Sequence, residues 1–318
     1  MKPLEGQVAL VAGATRGAGR GIATMLGAAG ATVYCTGRSV RGNLASGASR
    51  PETIEETAEQ VTALGGKGLA VRVDHSVEEE VEALCRRIRS EAGKLDVLVN
   101  DIWGGEALHE LGLPFWKQSP AKARLMFDRA VYTHLVTSRY AVPLMLERDR
   151  GLIVEVTDGD SFGYRGGVSY DVTKMAVIRL AFAMSRDLRR TNITALAVTP
   201  GFLRSEEMLD GFGVTEANWR DAVKDVPDFI ASETPAYVGR AVAALAADPK
   251  VHRRAGRVVA SWTLAREYGF TDLDGSQPHW AEHFERTYGK AYPLADDAAY
   301  ASWLGGAIEI AFPDWPRY

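Results

Sequence analysis

The stretch VALVAGATRGAG, residues 8–19, decides the fold of this chain. Its first part, Val8–Ala12, is an apolar run typical of a strand buried on both faces of a parallel sheet. Its second part turns at glycines and runs directly into the helical periodicity of Arg20–Ala29. Glycines at such a turn are often only structural, but here they also let the backbone approach a ligand, and the amides that open the helix attract a phosphate. The stretch therefore predicts a dinucleotide-binding turn formed by Gly13, Thr15, Arg16, Gly17 and Gly19.

Strand-like and helix-like segments alternate along the rest of the chain. Short apolar runs predict further strands at Thr32–Thr36, Gly68–Val73, Asp96–Val99, Leu152–Val156, Ile193–Val198 and Arg257–Ala260. Helical periodicity lies between them at Glu52–Leu64, Glu78–Ala92, Ala123–Leu146, Tyr170–Arg190 and Ala236–Ala247. This alternation predicts an α/β fold of the Rossmann type, a doubly wound parallel sheet of about seven strands with helices on both faces. We expect residues 1–261 to form this domain.

The C-terminal segment differs in composition from the preceding chain. Residues 262–318 contain 12 of the 28 aromatic residues. Aromatic side chains bury large apolar areas, so a segment this rich in them is expected to be packed. The composition predicts a C-terminal extension that packs on the same domain or on a partner subunit; a lid over the substrate pocket and an interfacial membrane contact are the alternatives.

The overall composition is that of an ordinary globular protein. Of the 318 residues, 46% are hydrophobic and 25% are charged. The net charge of −4 argues against a nucleic-acid-binding protein, and no apolar run reaches the length of about 18 residues that a membrane span requires. Two cysteines, Cys35 and Cys85, are too few for a disulfide framework and indicate a reducing compartment, so we expect a cytoplasmic location.

Positive charge is concentrated around the predicted dinucleotide-binding turn. Residues 6–51, the basic segment, contain five arginines and no acidic residue. An anionic ligand would explain this bias, and so would solvated surface arginines. The second strand ends in Thr36-Gly37-Arg38, without the carboxylate that selects NAD(H). Arg16 and Arg38 can instead pair with a 2′-phosphate, so the predicted cofactor is NADP(H). Asp74, which ends the third strand, is predicted to contact the adenine or to cap a helix.

Two motifs together resemble a known family. The G-x-x-x-G-x-G turn at Gly13–Gly19 and the Tyr-x-x-x-Lys motif at Tyr170–Lys174 resemble the short-chain dehydrogenase/reductase family, over roughly residues 6–261. Pro200-Gly201 is similar to the family loop that faces the nicotinamide, and Asn100 keeps the first position of the family's fourth-strand motif. Thr36–Arg38 and Leu264–Gly269 resemble the branch called dehydrogenase/reductase SDR family member 1-like. The resemblance implies an oxidoreductase that assembles as a homodimer or homotetramer through its long helices.

The same resemblance implies the catalytic residues. Tyr170 and Lys174 are four residues apart on a predicted helix, so their side chains share one face. We expect the ammonium of Lys174 to lower the pKa of the phenol, which exchanges a proton with a carbonyl oxygen while a hydride is exchanged at carbon. Lys174 would also hold the nicotinamide ribose. The family serine, 13 residues before the tyrosine, corresponds to Thr157, whose hydroxyl would orient the substrate oxygen; Ser161 is the alternative donor.

Several positions depart from the family pattern. Asp158 and Asp160 are unusual neighbours for such a site, and Asp101 and Trp103 alter the fourth-strand motif. The family asparagine that holds a water in the proton relay is expected near Ala130, but residues 101–191 contain no asparagine. Either water or another side chain therefore takes its place, or catalysis is slow.

These features predict an NADP(H)-dependent oxidoreductase that interconverts a carbonyl and a secondary alcohol, in the direction of reduction. Apolar residues in the lobe 202–235 suggest a lipophilic small-molecule substrate; they are Phe202, Leu203, Met208, Leu209, Phe212 and Trp219. The alternatives are a non-enzymatic NADP(H)-binding protein, and an epimerase or dehydratase with the same cofactor site. His279–His283 matches the H-x-x-E-H pattern of zinc peptidases, but a polar helix face explains it better, and we assign no metal.

Overall fold

The computed structural model describes residues 2–44, 50–110, 112–160 and 163–289. Within these ranges, seven parallel strands form one sheet in the order β3-β2-β1-β4-β5-β6-β7. The strands are β1 (Val8–Ala12), β2 (Thr32–Gly37), β3 (Lys67–Arg72), β4 (Val97–Asn100), β5 (Gly151–Val156), β6 (Ile193–Thr199) and β7 (Val258–Ala260). The strand order reverses between β1 and β4, as in a doubly wound sheet. The predicted α/β fold is confirmed.

Helices cover both faces of this sheet. They are α1 (Gly17–Ala28), α2 (Ile54–Ala63), α3 (Glu78–Ala92), α4 (Pro120–Phe127), α5 (Thr133–Leu146), α6 (Val168–Asp187), α7 (Glu206–Gly211), α8 (Pro235–Ala247), α9 (Ser261–Tyr268) and α10 (Trp280–Tyr288). α1, α2 and α8 pack on one face with Ala9 and Val11 of β1, whereas α3 and α5 pack on the other with Val8 and Leu10. Because both faces are covered, β1 is apolar at every position. Across the described ranges, no helix has the length and apolar composition that crossing a bilayer requires.

The predicted helix Ala123–Leu146 is interrupted in the structure. α4 ends at Phe127, and a π-helical turn, Asp128–Tyr132, separates it from α5. A π turn adds a single residue without ending the helical hydrogen bonding, so the apolar periodicity continues through it and does not reveal the break. Ala130, where the family asparagine is expected, lies in this turn and is buried.

The described part of the C-terminal extension packs on the sheet domain. Trp262, at the start of α9, is 1% exposed and packs with Ala260 and Ala281. The predicted boundary between residues 261 and 262 therefore falls inside α9. Residues 290–318, the rest of the predicted extension, lie outside the described residues.

Candidate active site

A cleft of about 1860 Å³ opens at the carboxyl ends of the strands, where the strand order reverses. The residues predicted from the sequence that line it are Gly13, Thr15, Arg16, Gly17, Arg38, Asp74, Thr157, Tyr170, Lys174, Pro200 and Gly201. Open α/β sheets bind their ligands at this switch point, because the loops that follow the strands diverge there. The fold therefore brings the three predicted catalytic residues and most of the predicted cofactor residues to one cleft.

Two predicted cofactor residues lie behind the cleft wall. Gly19 packs on the glycine turn itself, because a Cβ there would lie 2.2 Å from the Gly13 carbonyl oxygen. Asn100 is fully buried, and its side-chain amide donates to Ser138 Oγ at 3.0 Å and to Glu155 Oε1 at 2.7 Å. Both residues shape the site, and neither is among those that face the cleft.

Close backbone packing explains the glycine turn. Gly13 has a φ of +93°, and a Cβ there would lie 2.2 Å from the Asp101 carbonyl oxygen, so a side chain would collide with the end of β4. The Gly17 amide, at the start of α1, donates to the Glu206 carboxylate at 2.8 Å. A negatively charged oxygen therefore accepts a hydrogen bond at the start of this helix. A phosphate oxygen is also negatively charged and can accept a hydrogen bond from the same amide. The turn fits the pyrophosphate of a dinucleotide.

The five arginines of the basic segment fall into two groups. Short ion pairs with glutamates hold three of them: Arg20 (3.1 Å), Arg41 (2.6 Å) and Arg50 (2.7 Å). Arg16 and Arg38 make longer contacts, at 3.5 Å to Glu106 and 3.9 Å to Asp74. Both of these arginines line the cleft. Much of this positive charge is therefore paired within the chain, and the shortest ion pairs of Arg16 and Arg38 are longer than those of the other three arginines.

Tyr170 and Lys174 lie near the start of α6, and their spacing places both side chains on the cleft. The Tyr170 hydroxyl donates to Asp158 Oδ2 at 2.6 Å. Lys174 Nζ lies 4.1 Å from the centre of the Trp103 ring and 5.6 Å from that of Tyr170. Burial, the charge of Asp158 and the hydrogen bond to it raise the pKa of Tyr170. The expected lowering of this pKa is therefore wrong: the carboxylate binds the phenol directly, whereas the ammonium lies over the Trp103 ring.

Burial also affects the pKa of Lys174. It lowers the pKa of Lys174, while the carboxylates of Asp158 and Asp101 act in the opposite direction. Asp101 is partly buried, and desolvation raises its pKa to about 7. The cleft floor therefore contains several ionisable groups whose charges depend on one another.

Thr157 directly follows β5, at the position of the family serine. Its hydroxyl donates to the backbone carbonyl of Lys174 at 2.9 Å, which ties the end of β5 to α6. In this arrangement the hydroxyl offers the cleft an acceptor, because its proton is already donated. Ser161, the alternative, lies outside the described residues.

Three residues around the phenol were not among the predicted site residues. Asp158 is one, and the others are Trp103 and His109, whose ring centres lie 5.6 and 4.5 Å from that of Tyr170. Burial and the charge of Lys174 lower the pKa of His109, whose Nε2 is buried without a hydrogen-bond partner among the described residues. The feature of the sequence that could have identified Asp158 is its position next to Thr157, where a carboxylate is unusual for the family. Trp103 and His109 belong to the connection after β4, whose path no local pattern predicts.

A buried polar network lies beside the π turn. His134, one turn after Ala130, has its Nδ1 2.6 Å from Glu155 Oε2 and its Nε2 3.0 Å from the Ile102 carbonyl oxygen. Glu155, in β5, also accepts from Asn100. Where a relay asparagine was expected, the polar groups therefore belong to His134, Glu155 and Asn100.

Apolar side chains form one wall of the cleft. Phe202, Leu203 and Met208 come from the predicted substrate lobe, and Trp280 and Phe284 come from α10. The remaining predicted lobe residues pack instead in a cluster around Phe229; they are Leu209, Phe212 and Trp219. The C-terminal extension therefore contributes side chains to the cleft wall.

The histidines of the H-x-x-E-H motif have local partners. His279 caps α10, where its Nδ1 accepts from the Glu282 amide at 3.3 Å. His283 Nε2 lies 2.8 Å from Asp228 Oδ1. In the part of the chain that the structure describes, no three candidate ligands are close enough to hold a metal ion.

Comparison with known proteins identifies the family. A family model described as short chain dehydrogenase matches residues 7–212. The chain belongs to the short-chain dehydrogenase family. Mouse dehydrogenase/reductase SDR family member 1 is 36% identical to this short-chain dehydrogenase over 278 residues, which covers 86% of this chain and 85% of that protein. The human protein of the same name is 34% identical over 277 residues, with the same coverage. The predicted resemblance to this branch is confirmed.

Solved structures with the same fold include other short-chain dehydrogenases. A short-chain dehydrogenase homologue from Mycobacterium thermoresistibile has a TM-score of 0.72 at 21% identity, and the match covers 87% of this chain and 92% of that one. A hydroxysteroid dehydrogenase from Escherichia coli has a TM-score of 0.65 at 24% identity, with coverages of 81% and 96%. At such identities the likeness concerns the fold. As a member of its family, this short-chain dehydrogenase is an oxidoreductase that uses a nicotinamide cofactor.

Proposed function

We propose that this short-chain dehydrogenase uses NADP(H) to interconvert a carbonyl and a secondary alcohol. The observation that carries the proposal is that Tyr170 and Lys174 share one cleft with Arg16 and Arg38. When bound, the cofactor supplies a hydride to the carbonyl carbon or accepts one from the alcohol carbon. The protein then has to hold both molecules and to move the proton at the oxygen.

Different residues of the cleft bind different parts of the cofactor. The glycine turn and the start of α1 hold the pyrophosphate, because both present backbone amides to it. Arg16 and Arg38 bind the 2′-phosphate through charge-assisted hydrogen bonds. The other contacts are those of Asp74 at the adenine, Lys174 at the nicotinamide ribose, and Pro200 and Gly201 at the nicotinamide.

The substrate lies between Tyr170 and the apolar wall of the cleft. Tyr170 exchanges a proton with the substrate oxygen, which is general acid–base catalysis. The wall of Phe202, Leu203 and Met208, completed by α10, favours a lipophilic carbonyl or alcohol.

Substrate screening tests this proposal. Aldehydes, quinones, steroids and β-keto compounds would be mixed with the protein and NADPH, and NADPH absorbance followed. On any substrate found, Tyr170→Phe should lower kcat by about 100-fold or more, because the proton donor is lost. The matched control is Tyr164→Phe, which alters an exposed cleft tyrosine and should leave kcat within about twofold. Full turnover by Tyr170→Phe contradicts the mechanism.

Two other results of the screen separate the alternative functions. NADPH binding without turnover of any compound favours the non-enzymatic NADP(H)-binding protein. A product formed without net consumption of NADPH favours an epimerase or dehydratase, because such enzymes regenerate the cofactor.

We also propose a cytoplasmic homodimer or homotetramer. Cys35 and Cys85 are free and buried, which suits a reducing compartment. Short-chain dehydrogenases typically oligomerise, and this chain exposes about half of Leu135 on α5 and of Val172 on α6. These apolar side chains support an interface through the two helices.

A further inference from the structure

The hydroxyl of Tyr170 has a charged partner that the proposed function does not use. Asp158 Oδ2 accepts a hydrogen bond from it at 2.6 Å, and Asp158 itself lines the cleft. A phenol that lost its proton here would leave a phenolate against a carboxylate in a partly buried site. Two negative charges at such a distance disfavour ionisation of the phenol. Tyr170 is therefore not expected to hold a negative charge by itself.

The loop that carries Asp158 is anchored on both sides. Arg165 Nε donates to the Asp158 carbonyl oxygen at 2.5 Å, and its Nη1 pairs with Asp171 of α6 at 3.1 Å. The next residue, Gly159, donates its amide to Thr199 Oγ1 at 2.7 Å. The backbone at Asp158 is therefore tied to both α6 and β6, which holds the carboxylate at the phenol.

Charged and titratable groups from three elements face this pair. Lys174 lies on α6, and Arg165 lies on the anchored loop. Glu106 and His109 come from the connection after β4. Lys174 and Arg165 are the cations among these groups, and Arg165 also pairs with Asp171 of α6.

We propose that Asp158 is a further catalytic residue, which takes up the proton that Tyr170 releases when Tyr170 accepts one from the alcohol. This inference rests on the proposed function. In oxidation, the alcohol O–H bond breaks, its proton moves to the Tyr170 oxygen, and the proton of Tyr170 moves to Asp158. The electron pair of the carbon–hydrogen bond leaves with the hydride for the nicotinamide. A carbonyl and a neutral Asp158 remain, and Asp158 then releases its proton to the solvent in the cleft.

Reduction is the reverse of this sequence. A neutral Asp158 donates its proton to the Tyr170 oxygen as Tyr170 gives its own proton to the substrate oxygen. No phenolate forms in either direction, because each proton that leaves Tyr170 is matched by one that arrives. In reduction Asp158 therefore passes a proton from the solvent to Tyr170, and in oxidation it passes one from Tyr170 to the solvent.

The pH profile of Asp158→Asn tests this role. An amide accepts no proton, so kcat/KM for alcohol oxidation should fall by about 100-fold near neutral pH. It should recover at alkaline pH, where Tyr170 ionises and acts as the base itself, and Asp158→Glu should restore part of the neutral activity. The matched control is Asp128→Asn, a carboxylate at the cleft that leaves Tyr170 untouched and should preserve the wild-type profile. Equal loss at every pH would show a purely structural role and overturn the proposal.

A titration without substrate separates this inference from the proposed function. Phenolate absorbance would be followed against pH in the wild type and in Asp158→Asn, with Tyr170→Phe versions of both to isolate Tyr170. In Asp158→Asn, Tyr170 should ionise at lower pH, since the carboxylate that opposes its charge is gone. An unchanged titration overturns the inference. A shifted titration in a protein that turns over no substrate supports the coupling of Tyr170 to Asp158 and contradicts the proposed function instead.

Discussion

Arg38 directly follows β2 at the rim of the cleft, and it forms an ion pair with Asp74 at 3.9 Å. A contact of that length leaves hydrogen-bond donors of the guanidinium available. Arg41, three residues later, donates two hydrogen bonds to Glu59 at 2.7 and 2.6 Å and lies away from the cleft. These two arginines therefore form a matched pair, of which only Arg38 lines the cleft.

Charge reversal at Arg38 should invert the cofactor preference. Arg38→Asp should weaken NADPH binding by about 10- to 100-fold, because a charge-assisted hydrogen bond is lost and a carboxylate repels the 2′-phosphate. NADH binding should hold or improve. Both affinities can be measured from the quenching of tryptophan fluorescence, since Trp103, Trp262 and Trp280 line the cleft.

The control for this experiment is Arg41→Asp, which makes the same charge change outside the cleft. It should leave the NADPH-to-NADH ratio unchanged. Equal affinities of the wild-type protein for NADPH and NADH would contradict the assignment of NADP(H).

Spacing alone was enough to place Tyr170 and Lys174 on one face, because a helix brings residues four apart together. The pKa of Tyr170 was predicted in the wrong direction. That quantity depends on Asp158, which reaches the phenol through a loop anchored by Arg165, and on burial by the connection after β4. Electrostatics at a residue depends on neighbours that the tertiary fold supplies.

Asp272 links the C-terminal extension to the segment that precedes α8. It lies between α9 and α10 and accepts from the amide and the hydroxyl of Thr234, which precedes α8. Its carboxylate also lies 3.7 Å from Arg204, whose side chain is 2% exposed. The main ion pair of this guanidinium is with Glu216 at 3.0 Å, and Asp272 adds a second carboxylate beside it.

Removal of this carboxylate should destabilise the whole domain. Asp272→Ala should lower the free energy of unfolding by about 2–3 kcal/mol, because the buried amide and hydroxyl of Thr234 lose their acceptor, whereas Arg204 keeps its ion pair with Glu216. The control is Asp274→Ala, which breaks an exposed pair with Arg220 and should cost less than about 1 kcal/mol. Urea unfolding measures both. Equal effects of the two variants would show that Asp272 does not hold the extension to the domain.

Strands were easier to predict than breaks within helices. β1, β4 and β6 are buried along their whole length, so their apolar runs are visible in the sequence. The π turn at Asp128–Tyr132 changes only the register of a continuing helix, and such a shift leaves no local signal.

At the scale of the whole molecule, we expect an oligomer. Light scattering should give a mass that is two or four times the 34.5 kDa of one chain. Val172→Asp should reduce this mass to that of a single chain, because a carboxylate cannot be buried in an apolar interface without a large cost. The control is Leu64→Asp on an exposed site after α2, which should leave the mass unchanged. A wild-type mass of one chain would contradict the homodimer and the homotetramer.

The amino-acid sequence by itself determined the doubly wound sheet, the glycine turn and the Tyr170–Lys174 pair. Each of these depends on periodicity or spacing within a single strand, turn or helix, which short-range sterics and burial dictate. The tertiary structure alone decided that Asp158 binds the phenol, that Thr157 donates to α6, and that α10 completes the apolar wall. These contacts join residues that belong to different elements, so they exist only once the sheet has brought the loops at its carboxyl edge together.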